Sequence, residues 1–378
     1  MKKIILITIL LFLINTSSAT AFSDPLSVPN NKIGIHILFP EELDQAASLV
    51  NSNGGDWGYV TIPIQAGDRN IEKWQSFMDK AKSLHIIPIL RLATEGDYFN
   101  TTVWRKPTEA DILDFANFLN SLNWPTKNRY IIVFNEPNRG DEWEGLANPA
   151  EYATLLHYAA SIFKQENPDF FIISAGLDNA AASSSTSFDE FTFLNAMQQA
   201  DPQVFSSIDG IGSHSYPNPG FSKSPNVLGK ESIATFSFEE SLLDTYAGKQ
   251  LPVFITETGW SQDSLPLETV SSYYNQAFAT VWDDKSIVAV TPFLLRADVE
   301  PFSQFSLIKN GQQSQIFNEI KNLPKIKGNP AFPSVVLAAK IAKTTPPPEK
   351  KFNTESLVSG QITIPKDVKS LFRWFLGL

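Results

Sequence analysis

Residues 32–39, KIGIHILF, run directly into Pro40-Glu41-Glu42, and that junction decides the fold. The run is β-branched and apolar, the composition of a strand buried on both faces. An open doubly wound sheet would place a glycine-rich phosphate turn after its first strand. Phe39-Pro40-Glu41-Glu42 contains no glycine, and a weak helical periodicity follows over 41–52. The first unit therefore reads as a strand, a short loop and a helix, without a nucleotide cradle.

Working outward, the same unit recurs. Apolar runs lie at 57–64 (WGYVTIPI), 86–92 (IIPILRL), 129–136 (RYIIVFNE), 170–176 (FFIISAG), 208–216 (IDGIGSHSY), 251–258 (LPVFITET) and 287–295 (IVAVTPFLL). Segments of helical periodicity separate them, at 70–85, 108–122, 149–166, 188–200, 237–247, 267–283 and 313–321. In the first of these, Ile71, Trp74, Phe77, Met78, Ala81 and Leu84 form one stripe. Eight buried strands alternating with helices predict an α/β fold, a closed (β/α)8 TIM barrel spanning residues 22–323.

Composition narrows the function. The 378 residues include 30 Lys and Arg against 40 Asp and Glu, a net charge of −10, so no broad basic surface is expected for nucleic acid. There is no cysteine, which removes disulfides, thiolate metal sites and cysteine nucleophiles. His36, His85 and His157 have no partner at metal-ligand spacing, so neither a metal nor a cofactor is expected. All three histidines read as structural, with His36, inside the first strand, the nearest to a barrel mouth.

Both ends of the chain differ from the middle. Lys2 and Lys3 precede an eleven-residue run from Ile4 to Ile14 and then Ala19-Thr20-Ala21, the pattern of a secretory signal over 1–21. The run is too short to span a bilayer, which needs about 20 residues. Its removal takes away two lysines and no acid, leaving −12 on a chain expected to be secreted or extracytoplasmic. At the other end, 324–350 is rich in Pro and Lys and reads as a linker. Residues 351–378 read as an amphipathic tail, with Val368, Leu371, Phe372, Trp374, Phe375 and Leu376 set among Lys366, Lys369 and Arg373. That tail either packs back on the barrel or, through 366–378, meets a surface or partner.

In such barrels the chemistry gathers at the C-terminal ends of the strands. The fourth run ends in Asn135-Glu136-Pro137-Asn138 and the seventh in Thr256-Glu257-Thr258-Gly259-Trp260. A carboxylate at the tip of an apolar strand is costly to desolvate, so two of them call for a reason. Ion pairing with Arg91, at the end of the third run, could neutralise one but not both. Two carboxylates at one mouth match the needs of glycoside hydrolysis, in which one is protonated to donate and the other ionised to attack.

These motifs resemble those of the clan A glycoside hydrolases, in the manner of the cellulase/mannanase-like and xylosidase-like families. The resemblance covers roughly residues 32–322. It implies that Glu136 is the acid/base, that Glu257 is the nucleophile of a retaining mechanism, and that Asn135 holds the sugar 2-hydroxyl. It also implies that Tyr216 orients the nucleophile and that His214 contacts substrate. The expected partner is an oligo- or polysaccharide, and the expected activity that of a β-glycosidase or β-glycanase. A transglycosylase using the same pair and an inactive carbohydrate-binding barrel are the alternatives.

Gly210, Gly212, His214 and Tyr216 alternate along the sixth run and are expected to point one way. Arg91 is expected to help keep one carboxylate ionised. Trp104, Trp143 and Trp260 fall in loops on the catalytic face, with Trp260 the expected stacking surface for a sugar; Trp74 and Trp282 fall in helical stripes and read as core. The resembled families end their eighth strand with a tryptophan. Here that strand reads Thr291-Pro292-Phe293-Leu294-Leu295-Arg296, leaving Phe293 to substitute or Arg296 to face the site.

Overall fold

In the computed structural model, residues 22–333 are described. The signal-like segment 1–21, the part of the expected linker beyond 333 and the 351–378 tail lie outside them. No helix among the described residues is long and apolar enough to cross a membrane.

Eight parallel strands form the barrel: β1 (Gly34–His36), β2 (Gly58–Gln65), β3 (Ile86–Ala93), β4 (Arg129–Ile132), β5 (Phe170–Ile173), β6 (Ile211–His214), β7 (Val253–Glu257) and β8 (Ile287–Val290). Strands β1 to β5 pair in order, as do β6 to β8. Single bridges, Ile173 to Gly210 and Ile33 to Val290, join the two groups and close the ring. The longest ladder runs from Gly58 opposite Ile86 to Gln65 opposite Ala93.

Helices α1 (Leu43–Val50), α2 (Ile71–Ser83), α3 (Glu109–Ser121), α4 (Pro149–Glu166) and α5 (Glu190–Ala200) follow the first five strands. A single extra turn, α6 (Val204–Ser207), precedes β6, and α7 (Thr235–Ala247), α8 (Leu267–Ala279) and α9 (Gln315–Asn322) complete the outer layer. A two-residue hairpin, β9 (Ile308–Lys309) with β10 (Gln312–Gln313), lies between β8 and α9. The helix starts are written locally. Asn70 accepts from the Lys73 N–H, Thr108 and Asp111 form a capping box, and Asn148 caps α4 just before Pro149.

The core has two layers. Tyr59, Ile87, Ile89, Tyr130, Ile132, Phe171, Phe254 and Val288 fill the barrel interior, and a larger apolar layer lies between strands and helices. Gly210 is needed inside, because a Cβ there would come within 2.9 Å of both Phe171 and Phe254. Residues 324–333, expected to begin a linker, are strapped to the barrel. Lys325 donates to Ser52 and to the carbonyls that end α9, Gly328 N–H bonds Asp56, and Phe332 packs edge-on to Trp57.

Candidate active site

The two glutamates reach the mouth of the barrel by different routes. Strand β4 stops at Ile132, four residues short of the expected end, because Phe134 (φ +69°) and Glu136 (φ +36°) adopt left-handed backbone. Such conformations cost bulky residues about 1–3 kcal/mol each and persist only where neighbours hold them. Here the Glu136 N–H donates to the Gly176 carbonyl beyond β5, at 3.1 Å. Glu257, in contrast, is the regular last residue of β7. Thr256 and Thr258 flank it and tie the strand to β6, their hydroxyls donating to the Ser213 and Ser215 carbonyls.

Both carboxylates line one cavity of about 410 Å³, with Asn135, Arg91 and Tyr216 also on its wall. The glutamates are each 8 % exposed, and an oxygen of one lies within 4.8 Å of an oxygen of the other. Tyr216 donates its hydroxyl to Glu257 Oε2 at 3.2 Å. Burial, with the Glu257 and Glu136 charges, raises the Tyr216 pKa well above its ordinary value, so the phenol keeps its proton.

His214 takes a place other than the one expected. It is 1 % exposed and is not on the cavity wall, so it is poorly placed to contact substrate. Its Nδ1–H donates to Glu136 Oε1 at 2.8 Å, and Glu257 Oε2 lies 3.9 Å from the same nitrogen. Gly176 makes the room, since a Cβ there would stand 2.1 Å from the imidazole. Burial opposes charging this ring, but Glu257 and Glu136 outweigh it and raise its pKa. The register slips between Ser213 and His214, and Tyr216 lies beyond β6, so the expected simple alternation ends at His214.

The strongest cation at the site was not anticipated. Arg139 Nη1 lies 3.0 Å from Glu136 Oε2, and the same guanidinium grips Asp141 through Nε and Nη2. Burial pushes the Glu136 pKa up. The His214 hydrogen bond and the charges of Arg139, His214 and Arg91 outweigh it and hold the carboxyl well below the usual range. The resting arrangement thus ionises the group expected to be the proton donor. Arg91 adds charge at a distance: among the described residues it forms no ion pair, and its buried Nε has no hydrogen-bond partner there.

Other carboxyls share the wall. Glu142 is pushed up to about 7 by burial and by the charge of Glu136, against the pull of Arg91 and Arg139. Asp178 is also raised, by burial first and Glu136 second. The carboxyl and imidazole atoms of Glu136, His214 and Glu257 are close enough to chelate a cation. However, His214 presents an N–H to Glu136 and Arg139 occupies its second oxygen, so the three form a hydrogen-bonded ion-pair set.

His36 lies fully buried with Nε2 3.6 Å from Glu257 Oε1; burial, then Arg91 and His214, keep it neutral by lowering its pKa well below the ordinary value. His85 stacks on Trp57 and contacts Asp56, and His157 contacts Asp201, both away from the mouth.

Trp260 is not at the site. The chain turns at Gly259 (φ +152°), and the indole packs against Tyr273, Tyr274 and Trp282, 1 % exposed, with its N–H on the Lys223 carbonyl. Trp104 is the half-buried tryptophan on the cavity wall, 6.0 Å from Tyr98. Trp143 also lines the cavity but is 2 % exposed, its N–H held by Glu151. At the end of β8 it is Phe293 that faces the cavity, while Arg296 turns away onto Asp298 at 2.9 Å.

No family model matches the chain, and no curated protein matches its sequence. Solved structures do resemble it. A family 39 glycoside hydrolase from the gut symbiont Bacteroides cellulosilyticus WH2 aligns with a TM-score of 0.53 at 16 % identity, over 80 % of this chain and 65 % of that one. This chain thus spans less than two thirds of that relative. A GH128 (subgroup II) endo-β-1,3-glucanase from Sorangium cellulosum aligns with a TM-score of 0.53 at 17 % identity, over 78 % of this chain and 98 % of that one. The GH5_18 protein from Streptomyces cattleya, solved with GlcNAc, gives 0.54 at 15 % identity, over 78 % and 79 %. At these identities the likeness establishes a fold, the (β/α)8 barrel found in clan A glycoside hydrolases, in agreement with the resemblance carried by the strand 4 and strand 7 motifs.

Proposed function

We propose that this protein is an exported glycoside hydrolase that cleaves β-glycosidic bonds in an oligo- or polysaccharide with retention of configuration. Glu136 acts as acid and then base, and Glu257 as nucleophile. The observation that carries this reading is the approach of the two carboxylates to within 4.8 Å at one barrel mouth. Retaining sites hold their carboxyls about 5–5.5 Å apart, whereas inverting sites leave roughly 6.5–9.5 Å for a water.

Glu257 attacks the anomeric carbon and forms a glycosyl ester while Glu136 gives its proton to the departing oxygen. Water, deprotonated by Glu136, then releases the sugar. Tyr216 keeps Glu257 oriented. The buried Asn135 Oδ1, which has no hydrogen-bond partner among the described residues, is the open acceptor for a sugar hydroxyl. Trp104 and Phe293 supply apolar faces for a pyranose ring.

The test is turnover of aryl β-glycosides by wild type and Glu257→Ala, with the first-formed anomer read by proton NMR. The expected result is a β-anomeric product from wild type, an inactive variant, and rescue of that variant by azide to give an α-glycosyl azide. Undiminished turnover by Glu257→Ala, or an α-anomeric first product from wild type, overturns the assignment.

A further inference from the structure

A carboxylic acid that protonates a leaving group needs one oxygen free to carry and deliver the proton. In the arrangement seen, each Glu136 oxygen already has a donor, Oε1 from His214 and Oε2 from Arg139, and the guanidinium on Oε2 favours the ionised form over the acid. Moving one donor away frees an oxygen to carry the proton. His214 cannot readily be the one, since it is 1 % exposed and wedged against the backbone of Gly176. Arg139 can. Its side chain is 36 % exposed, it sits on the loop between β4 and α4, and it already has another anchor in Asp141. A further carboxylate, Asp178 Oδ2, stands 3.9 Å from the same Nη1 that touches Glu136.

We propose that Arg139 is a positioning residue that controls the proton of Glu136: its guanidinium occupies Oε2 at rest and swings toward Asp178, pivoting on Asp141, when the glycosidic oxygen takes its place. The proposal rests on the glycosidase reading above. With the guanidinium gone, Glu136 takes one proton from solvent. It passes that proton to the glycosidic oxygen as the C–O bond breaks and its electrons stay with the departing alcohol, while Glu257 forms the new C–O bond. The device ties acidity to occupancy, because Glu136 becomes an acid only when a leaving group has displaced its cation.

The charges that face Glu136 are Arg91 from β3, Arg139, Asp141 and Glu142 from the β4–α4 loop, Asp178 after β5, His214 from β6 and Glu257 from β7; neutral His36, from β1, faces Glu257. All but Arg139 are common to wild type and Arg139→Met, so the comparison isolates the guanidinium.

Two readouts test the idea. Carbon-13 NMR titration of the glutamate carboxyls, with Glu136 assigned by its loss in Glu136→Gln, should place its midpoint about 1–3 pH units higher in Arg139→Met than in wild type. Arg139→Lys, which keeps the charge, should stay near wild type and serves as the folding control. In kinetics on phenyl β-glucoside, the alkaline limb of kcat/KM, which reports free enzyme, should rise in Arg139→Met; the limb of kcat, which reports the complex, should hardly move. An unmoved NMR midpoint overturns the proposal. So does a kcat limb that moves as far as the kcat/KM limb, because the guanidinium would then stay on Glu136 throughout. If the NMR shift is found but wild type turns over no β-glycoside, the glycosidase reading fails and the release step fails with it, while the hold of Arg139 on Glu136 stands.

Discussion

Two pairs of buried glutamates lie on either side of strand β6, and their difference shows what separates a site from a structural oddity. Glu136 and Glu257 stand inside the mouth, against His214. Glu190, at the start of α5, and Glu239, on α7, stand outside, near the adjacent Ser213. The mouth pair is supplied with donors from several elements: Arg139 and His214 for Glu136, Tyr216 for Glu257. The outer pair is almost bare. Both oxygens of Glu190 and one of Glu239 are buried without a hydrogen-bond donor among the described residues, and the two carboxyls face each other. Burial and, for Glu190, the charge of its neighbour raise both pKa values, so the outer pair favours its protonated form. Burial alone therefore does not mark a reactive carboxylate; a cavity and a set of opposing charges do.

The largest effect that could break this contrast is on turnover. Glu136→Gln should lower kcat by about 10²–10⁴-fold on glycosides with poor leaving groups, the span attributed to a positioned acid or base. Glu239→Gln, at the more deeply buried position, should leave kcat near the wild-type value. Comparable losses in both variants would place the outer pair in the chemistry and erase the distinction.

A second variant tests the strand between the pairs. Gly176→Ala puts a methyl group where the His214 ring now lies, at 2.1 Å, so the ring must move and its hydrogen bond to Glu136 is lost. Misplacement by about 1 Å in such a set costs on the order of 10²-fold in rate. The expected outcome is that loss in kcat with a folded protein by circular dichroism. Unchanged kcat would mean that His214 holds nothing that matters.

The contrast also explains what could be read from the chain itself. Glu136 and Glu257 were legible because each ends an apolar run of the sequence, where a carboxylate is conspicuous, and because the barrel rule brings strand ends together. Arg139 is three residues from Glu136, yet nothing in Asn138-Arg139-Gly140 says that the side chain folds back; that depends on the left-handed turn at Phe134 and Glu136. Asp178 and Gly176 follow the next strand, and their approach to Glu136 is a matter of barrel register. Trp260 misled for the opposite reason. It follows Glu257 by three residues, but Gly259 turns the chain and sends the indole into the helix layer. Proximity in sequence carries no direction once a strand has ended. The helices, whose periodicity is local, lie where expected to within a few residues, apart from the single turn of α6.

The smallest effect concerns the outer pair and pH. A carboxyl whose pKa is raised on folding contributes its full stability below the unfolded value, near 4.5, and loses it as pH rises through the folded value. Wild type should therefore lose stability above about pH 4.5, with each proton taken up on folding adding about 1.4 kcal/mol per pH unit to the slope. Glu239→Gln needs one proton fewer, and its amide can pair with Glu190 without one. At pH 4 the two proteins should melt alike; at pH 8 the variant should be the more stable of the two. Denaturant unfolding at several pH values measures the slopes directly. Equal slopes for wild type and Glu239→Gln would show that the outer glutamates are not held by protons, and would leave their burial to be explained by an unrecognised donor.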